Sequence, residues 1–474
     1  MKYIFMLLLM GCLCSCQPFN SSNDIPVFDI SELKPGGQTT LEKLDKRTYI
    51  HSSPNLTMDM RMNFWSGFSF FRDPWVAAPA STTDRDGLGP LFNARSCIAC
   101  HRSGGRGKLE NKEIFKPVSV LFRLGNITDV NNYDPVYGGQ IQPKAIRVLH
   151  DDLPKQVQGE AAVKLQYQYI TGLFSDGTEY QLRKPLYELV KLGHNPLNEH
   201  TKVSARYAPA VYGMGLLDAI ASEDLLQQED INDENQDGIS AKYNRVTDVE
   251  LGINDAIGRF GFKALQPTLR QQVAAAFVND IGITNPIFKY DTCTKSQIKC
   301  KVASGFSSLK GEALEIPEKF FAQTEYMSKF IAVPMSRDLK SKKAQKGRNI
   351  FYQLDCQNCH QPSYITANDY SESKLSGQKI WPYTDLALHD MGPGLADGKV
   401  EFLASGSEWR TPALWGIGLQ QDIQGFQAYL HDGRARSIEE AILWHGGEAK
   451  MAQQAFIKLD KAQRDALIFF LKQI

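Results

Sequence analysis

The sequence predicts a mainly α-helical chain of two related lobes, the first carrying a small β-rich insertion, and three observations predict it. The motif Cys-x-x-Cys-His occurs twice, as Cys97-Ile98-Ala99-Cys100-His101 and Cys356-Gln357-Asn358-Cys359-His360. Similar landmarks flank both copies: Gly67-Phe68-Ser69-Phe70-Phe71 precedes the first and Gly347-Arg348-Asn349-Ile350-Phe351 the second. Pro209-Ala210-Val211-Tyr212-Gly213-Met214-Gly215-Leu216 follows the first and Pro412-Ala413-Leu414-Trp415-Gly416-Ile417-Gly418-Leu419 the second. Five of those eight later positions are identical, and duplication is the economical explanation. Finally, His101 and Pro209 are 108 residues apart against 52 for His360 and Pro412, so the first lobe holds the insertion.

Residues 1–16 begin MKYIFMLLLM, one Lys before a short apolar run, the layout of a secretory signal. Leu9-Met10-Gly11-Cys12 and Leu13-Cys14-Ser15-Cys16 both resemble the lipobox at which bacterial lipoproteins are acylated, and Cys16 leaves the longer apolar core ahead of it. Lipidation at Cys16 or Cys12 would anchor the protein to a membrane, with residues 17–60 as tether and extension. The first lobe spans 61–290. Within its insertion, about 118–200, the runs SVLFRL, AIRVLH, AVKLQYQYI and YQLRKPLYELV are rich in Val, Ile, Leu and Tyr, with Ser175-Asp176-Gly177 as a turn, and predict a small antiparallel sheet. Helical spacing recurs over 267–278 and 461–474. A polar connector, 291–339, contains Cys293 and Cys300, and the second lobe spans 340–474.

Composition narrows the classes. Lys+Arg and Asp+Glu both number 53, so there is no cationic excess of the kind nucleic-acid binding needs. With 42% hydrophobic and 22% charged residues the chain is globular and soluble in type. Nine Cys and nine His would produce roughly 0.003 Cys-x-x-Cys-His units by chance, so two are a signal. The spacing is that of covalent c-type haem attachment, in which two thiols add to the haem vinyl groups and the adjacent His101 or His360 reaches the iron. Zinc would want its four ligands clustered, and these pairs lie far apart. Cys293 and Cys300, eight residues of polar sequence, read as a small disulfide in an oxidising compartment.

Six segments, DGLGPLFNARSCIACHRSGGRG, DPVYGGQIQ, GRFGFKALQPTLRQQVAAA, LALHDMGPGLADG, EWRTPALWGIGL and YLHDGRARSIEEAILWHGGEA, make the chain resemble the bacterial di-haem oxidoreductases sometimes labelled thiol oxidoreductases. That family is related to di-haem cytochrome c peroxidases. The resemblance implies two cytochrome c-like lobes, two covalent haem c groups, and redox chemistry with hydrogen peroxide or an electron-transfer partner. No active-site dithiol supports the thiol label.

The sixth iron ligands decide between catalysis and electron transfer. Ser437-Ile438-Glu439-Glu440 predicts a capping box that starts a helix, on which Ile438, Ala441, Ile442 and His445 share the apolar face. In the relatives a Met or Tyr stands fourteen residues beyond the motif matched here by His431-Asp432-Gly433, and His445 takes that place. Met391, His389 and His431 are the alternatives at the second haem. At the first, relatives carry a releasable His about sixteen residues after the motif, whereas residues 102–117 contain none. The site is therefore open or filled from a distance by Met214, His150, His194, His200 or Tyr137. Peroxide cleavage needs a proton-moving group, for which Gln140, Gln142, Glu110 and Glu113 are candidates. Asp233-Glu234-Asn235-Gln236-Asp237-Gly238 opens like a calcium loop. Its twelfth position is Asn244 instead of Glu, which excludes a full EF-hand and leaves Asp233, Asn235 and Asp237 as a looser calcium site.

Two functions follow as expectations. One is a periplasmic, outer-membrane-anchored di-haem peroxidase that takes electrons from a cytochrome c or cupredoxin type of donor. The other is a non-enzymatic di-haem electron-transfer lipoprotein.

Overall fold

The computed structural model describes residues 25–110, 112–125, 133–147, 157–307 and 314–474. The signal segment and the lipidation candidates Cys12 and Cys16 lie outside them, as does His150. The helices that shape the molecule are α1 (Met58–Arg72), α2 (Leu269–Ala276), α3 (Glu318–Lys329), α4 (Lys342–Gln353), α5 (Ile438–Leu443), α6 (Lys450–Lys458) and α7 (Lys461–Gln473). The longer strands are β1 (Val120–Gly125), β2 (Ala162–Leu173), β3 (Glu179–Val190) and β4 (Lys202–Tyr207).

The duplication has a physical basis in close backbone contact. Gly67 lets α1 cross α3, since a Cβ there would collide with the Gln323 carbonyl, and Gly347 lets α4 cross α7, where the obstacle is the Ala466 carbonyl. Gly215 and Gly418 repeat the device against the carbonyls of Lys329 and Lys472, at the ends of α3 and α7. Gly213 and Gly416 have φ of 72° and 69°, a region that favours glycine. Each faces the aromatic of the other repeat, Gly213 against Trp415 and Gly416 against Tyr212. The Tyr212 hydroxyl donates to Trp415 O at 3.1 Å, so the duplicated octapeptides form the seam between the lobes.

The insertion begins with β1, paired antiparallel with β4 from Val120 opposite Tyr207 to Gly125 opposite Lys202. Alternation sends Val120, Phe122 and Leu124 into a buried cluster and Leu121 and Arg123 to the other face. β2 and β3 pair along their whole length, from Ala162 opposite Val190 to Leu173 opposite Glu179, and Gly177 (φ 83°) turns the hairpin. Its tip lands on the other lobe. Phe174 and Leu182 belong to the second lobe's core, Ser175 N donates to Ile457 O at 3.1 Å, and Arg464 pairs with Asp176 at 2.9 Å. The amino-terminal segment also docks there: Ile25, Phe28 and Leu33 pack on that core, and Arg348 and Glu32, both buried, pair at 2.7 Å.

The expectation of a mainly α-helical fold is corrected. The protein is 31% helix and 19% strand, the strand residues spread over several small sheets. The physical reason is the interior. A cavity of about 1370 Å³ occupies the space between the lobes, so each lobe needs little more than one helix crossing and a set of loops around that space. The 37 glycines and 22 prolines suit such loops and end helices early, and the long β2–β3 hairpin adds strand. Among the described residues no helix is long and apolar enough to cross a membrane.

Candidate functional site

Both Cys-x-x-Cys-His segments are single helical turns opening on the cavity. In the first, Cys97–Cys100, the next residue His101 places Nδ1 2.7 Å from Pro209 O. In the second, Cys356–Asn358, His360 places Nδ1 3.0 Å from Tyr383 O. A carbonyl only accepts, so Nδ1 carries the proton in both rings and Nε2 is left as a lone pair. Burial lowers the pKa of His101. Burial, with a further push from His445, brings His360 down to about 4, so both imidazoles are neutral near pH 7. All four motif cysteines and both histidines line the one cavity.

His445 stands beside His360. It follows α5, whose Ser437 cap accepts from Glu440 N at 3.1 Å. The expected capping box is half formed, because the Glu440 carboxylate takes Arg436 N at 2.8 Å in place of the cap's own amide. His445 Nδ1–H donates to Ala441 O at 2.7 Å, burial lowers its pKa, and its Nε2 is a third imidazole lone pair at the cavity.

The other named residues divide. Met391, His389, His431 and Met214 line the cavity. His389 is held through both nitrogens, Nδ1 to Glu448 at 2.7 Å and Nε2 to Asp385 at 2.8 Å. His431 lies flat on Trp409, ring centroids 3.7 Å apart. Gln140 reaches the cavity wall, whereas Gln142, Glu110, Glu113, Tyr137, His194 and His200 lie off it. Gln142 instead donates to Asn279 O at 2.7 Å, and Tyr137 donates to Asn195 O at 2.8 Å. Cys293 and Cys300 are disulfide-bonded, with Cα atoms 5.7 Å apart.

The oxygens of the 233–238 loop turn inward. Asp233 accepts from Gly238 N at 3.1 Å, Asn235 from Asp237 N at 2.8 Å, and Asp237 from Ile239 N at 2.9 Å. Among the described residues no group of three or more His, Cys, Asp or Glu is arranged to hold a metal ion.

Sequence reading missed Asp280 and Arg106. Asp280 follows α2 on the face of Gln272 and Ala276, four residues apart in turn, and all three line the cavity. That periodicity was the available signal. Arg106 and Arg410 are cations in the cavity wall. Burial brings each down to about 10, and among the described residues neither has an ion-pair partner. Their donors go to backbone carbonyls, Arg106 to Leu430 O and Arg410 to Gly261 O. Half-buried cations in a cavity wall, without an ion-pair partner, fit a ligand that brings its own negative charge, as a haem does in its propionates. The volume also fits more than one ligand, since it exceeds the roughly 300–1,000 Å³ of a small-molecule pocket. Paired lobes round a shared cavity, each presenting a neutral imidazole nitrogen beside two thiols, define a two-haem redox protein.

A family model described as "Di-haem oxidoreductase, putative peroxidase" matches residues 30–474, and the chain belongs to that family. Its members hold two haems. No curated protein and no solved structure matches the chain.

Proposed function

We propose that the protein is an exported, lipid-anchored di-haem c-type peroxidase, which carries out H2O2 + 2 e⁻ + 2 H⁺ → 2 H2O with electrons from a periplasmic one-electron donor. The observation that carries this reading is the asymmetry of the cavity. His360 is accompanied by a second neutral imidazole, His445, while the wall near Cys97 and Cys100 offers Gln140, Asp280 and Arg123. A pair of imidazoles suits a six-coordinate, electron-relaying iron, and polar side chains suit a site where a small oxidant binds.

In this reading Cys97, Cys100, Cys356 and Cys359 form the thioethers, His101 and His360 are the proximal ligands, and His445 is the sixth ligand at the second site. Arg106 and Arg410 neutralise propionates. The haems supply the reducing electrons and the site at which peroxide binds. The chain's own work is orientation. Pro209 O and Tyr383 O fix the tautomer and angle of each proximal ring, and accepting a hydrogen bond from Nδ1–H raises the basicity of Nε2. Replacing a Met by His445 would lower the second potential relative to the Met-ligated relatives.

The carrier reading has one supporting observation: Met214 also lines the cavity and could close the first site. Absorption spectra of the haem-loaded protein, ferric and half-reduced, before and after stoichiometric hydrogen peroxide, separate the two. High-spin ferric bands that peroxide replaces support the peroxidase, and a purely low-spin spectrum unmoved in either state supports the carrier.

A further inference from the structure

Asp280 is held at the cavity wall from two sides. Its backbone carbonyl accepts from Asn93 N at 2.8 Å and Ala94 N at 3.2 Å, which ties it to the strand end just before the first motif. Its Oδ1 accepts from Gln140 Nε2 at 2.8 Å. That amide is fixed in turn, within 3.0 Å of Asn93 Oδ1 and 3.1 Å of Asn279 O, while its Oε1 accepts from Arg123 Nη1 at 3.3 Å. The amide can therefore present only its N–H side to Asp280. The carboxylate opens on the cavity close enough to Cys97 and Cys100 to raise the pKa of both thiols.

We propose that Asp280, oriented by Gln140, is the proton acceptor for weak-acid ligands that enter the first haem site, hydrogen peroxide among them. The assignment rests on the peroxidase reading and adds its acid–base residue. As H2O2 enters, its inner O–H bond breaks and the proton passes to the Asp280 carboxylate. When the O–O bond breaks, the same proton goes to the departing outer oxygen, which leaves as water. Two electrons from the haems, replaced by the one-electron donor, and two protons from solvent turn the inner oxygen into the second water.

The surroundings suit the role. Burial raises Asp280 to about 6, against the pull of Gln140 and Arg123, so the group gains and loses a proton near the working range. The charged and titratable groups around it are Arg123 on β1, Cys97 and Cys100 on the motif turn, and Lys144, which acts on Cys100. Thioether formation removes the two thiols from that set. Gln140 alone cannot do this work, because an amide does not take up a proton at these pH values.

The test is the combination rate of the haem-loaded, ferric, full-length protein with cyanide added as HCN, followed by absorbance in stopped flow from pH 5 to 8. Asp280→Asn keeps a carbonyl for Gln140 and removes the base. It is expected to slow cyanide combination about 100-fold and to abolish the fall in rate below about pH 6 expected of the wild type. Asp280→Glu restores most of both. Gln140→Leu leaves the base but frees it, and gives intermediate slowing with the pH profile retained. Soret spectra and melting curves of each variant confirm that the haems are loaded. A wild type that binds cyanide and peroxide while Asp280→Asn matches it in rate and profile overturns this proposal alone. A wild type that binds neither overturns the peroxidase reading and this proposal with it.

Discussion

Deleting one carboxylate far from either motif should unsettle the second lobe. Glu32 is 1% exposed and Arg348 2%. They meet at 2.7 Å (Nη2 to Oε1), with a second contact at 3.2 Å from Nε. The Tyr383 hydroxyl donates to the same carboxylate at 3.1 Å, and the carbonyl of Tyr383 orients His360. Glu32→Ala leaves a buried guanidinium with Pro26 O as a remaining acceptor at 2.7 Å, and removing one member of a buried pair costs about 3–5 kcal/mol. That is about a fifth or more of the stability of an ordinary domain, about 5–15 kcal/mol. The double variant Glu32→Leu, Arg348→Met removes both charges and should recover most of the loss, because apolar replacement of a buried pair is often neutral. Urea denaturation of the holoprotein, followed by far-ultraviolet circular dichroism and by the Soret band, measures both. A single variant within about 1 kcal/mol of the wild type, or a double variant no better than the single, would refute the reasoning.

Gly347→Ala and Gly67→Ala would each gain about 1 kcal/mol on helix propensity alone. The carbonyls of Ala466 and Gln323 occupy the space, so a net loss of about 1–3 kcal/mol is expected, and a raised melting temperature would sink the account of the crossings. Under the proposed ligation, His445→Met should raise the reduction potential of the second haem, read by redox titration; an unchanged potential and spectrum would remove His445 from the iron. Glu160, 1% exposed, is raised from 4.5 to about 8 by burial, against hydrogen bonds from Gln142 N and Gln297 Nε2. The native state therefore keeps a proton that the unfolded chain has lost between those values, and Glu160 makes stability fall as pH rises across that window. Relative to Glu160→Gln, the wild type should lose up to about 4 kcal/mol between pH 5 and 8; parallel urea midpoints for the two proteins would contradict this.

What the sequence made legible follows from local chemistry. The two Cys-x-x-Cys-His turns were plain because each motif is five adjacent residues. His445 was legible as a residue facing inward because the apolar period of a short helix carries on past its last turn. Turn residues at Ser175-Asp176-Gly177 marked the hairpin, and the apolar period marked α7. Its overall helical character was overestimated, because a cavity that displaces side-chain packing leaves no periodic trace in the chain. Arg106 and Asp280 were missed for a related reason. Each is one polar residue whose importance lies in facing that space, and the segments that carry them lie far apart in the chain. Gln140 was found, but only as one of four equivalent candidates, since nothing in a linear sequence tells a cavity wall from a surface.

The β2–β3 hairpin bears on how the molecule comes into being. The carboxy-terminal lobe draws its core from four places along the chain: around Phe28, at the hairpin tip with Phe174 and Leu182, at Phe262, and from Leu339 onward. A fragment that starts at 340 would lack part of its own interior, so the lobe is not a transferable module. Synthesis delivers the amino-terminal strap and the hairpin first, and both must wait, unsatisfied, until α4 to α7 emerge to enclose them. Closure of the last lobe is thus the event that completes both, and heating should dismantle the two halves in one calorimetric step.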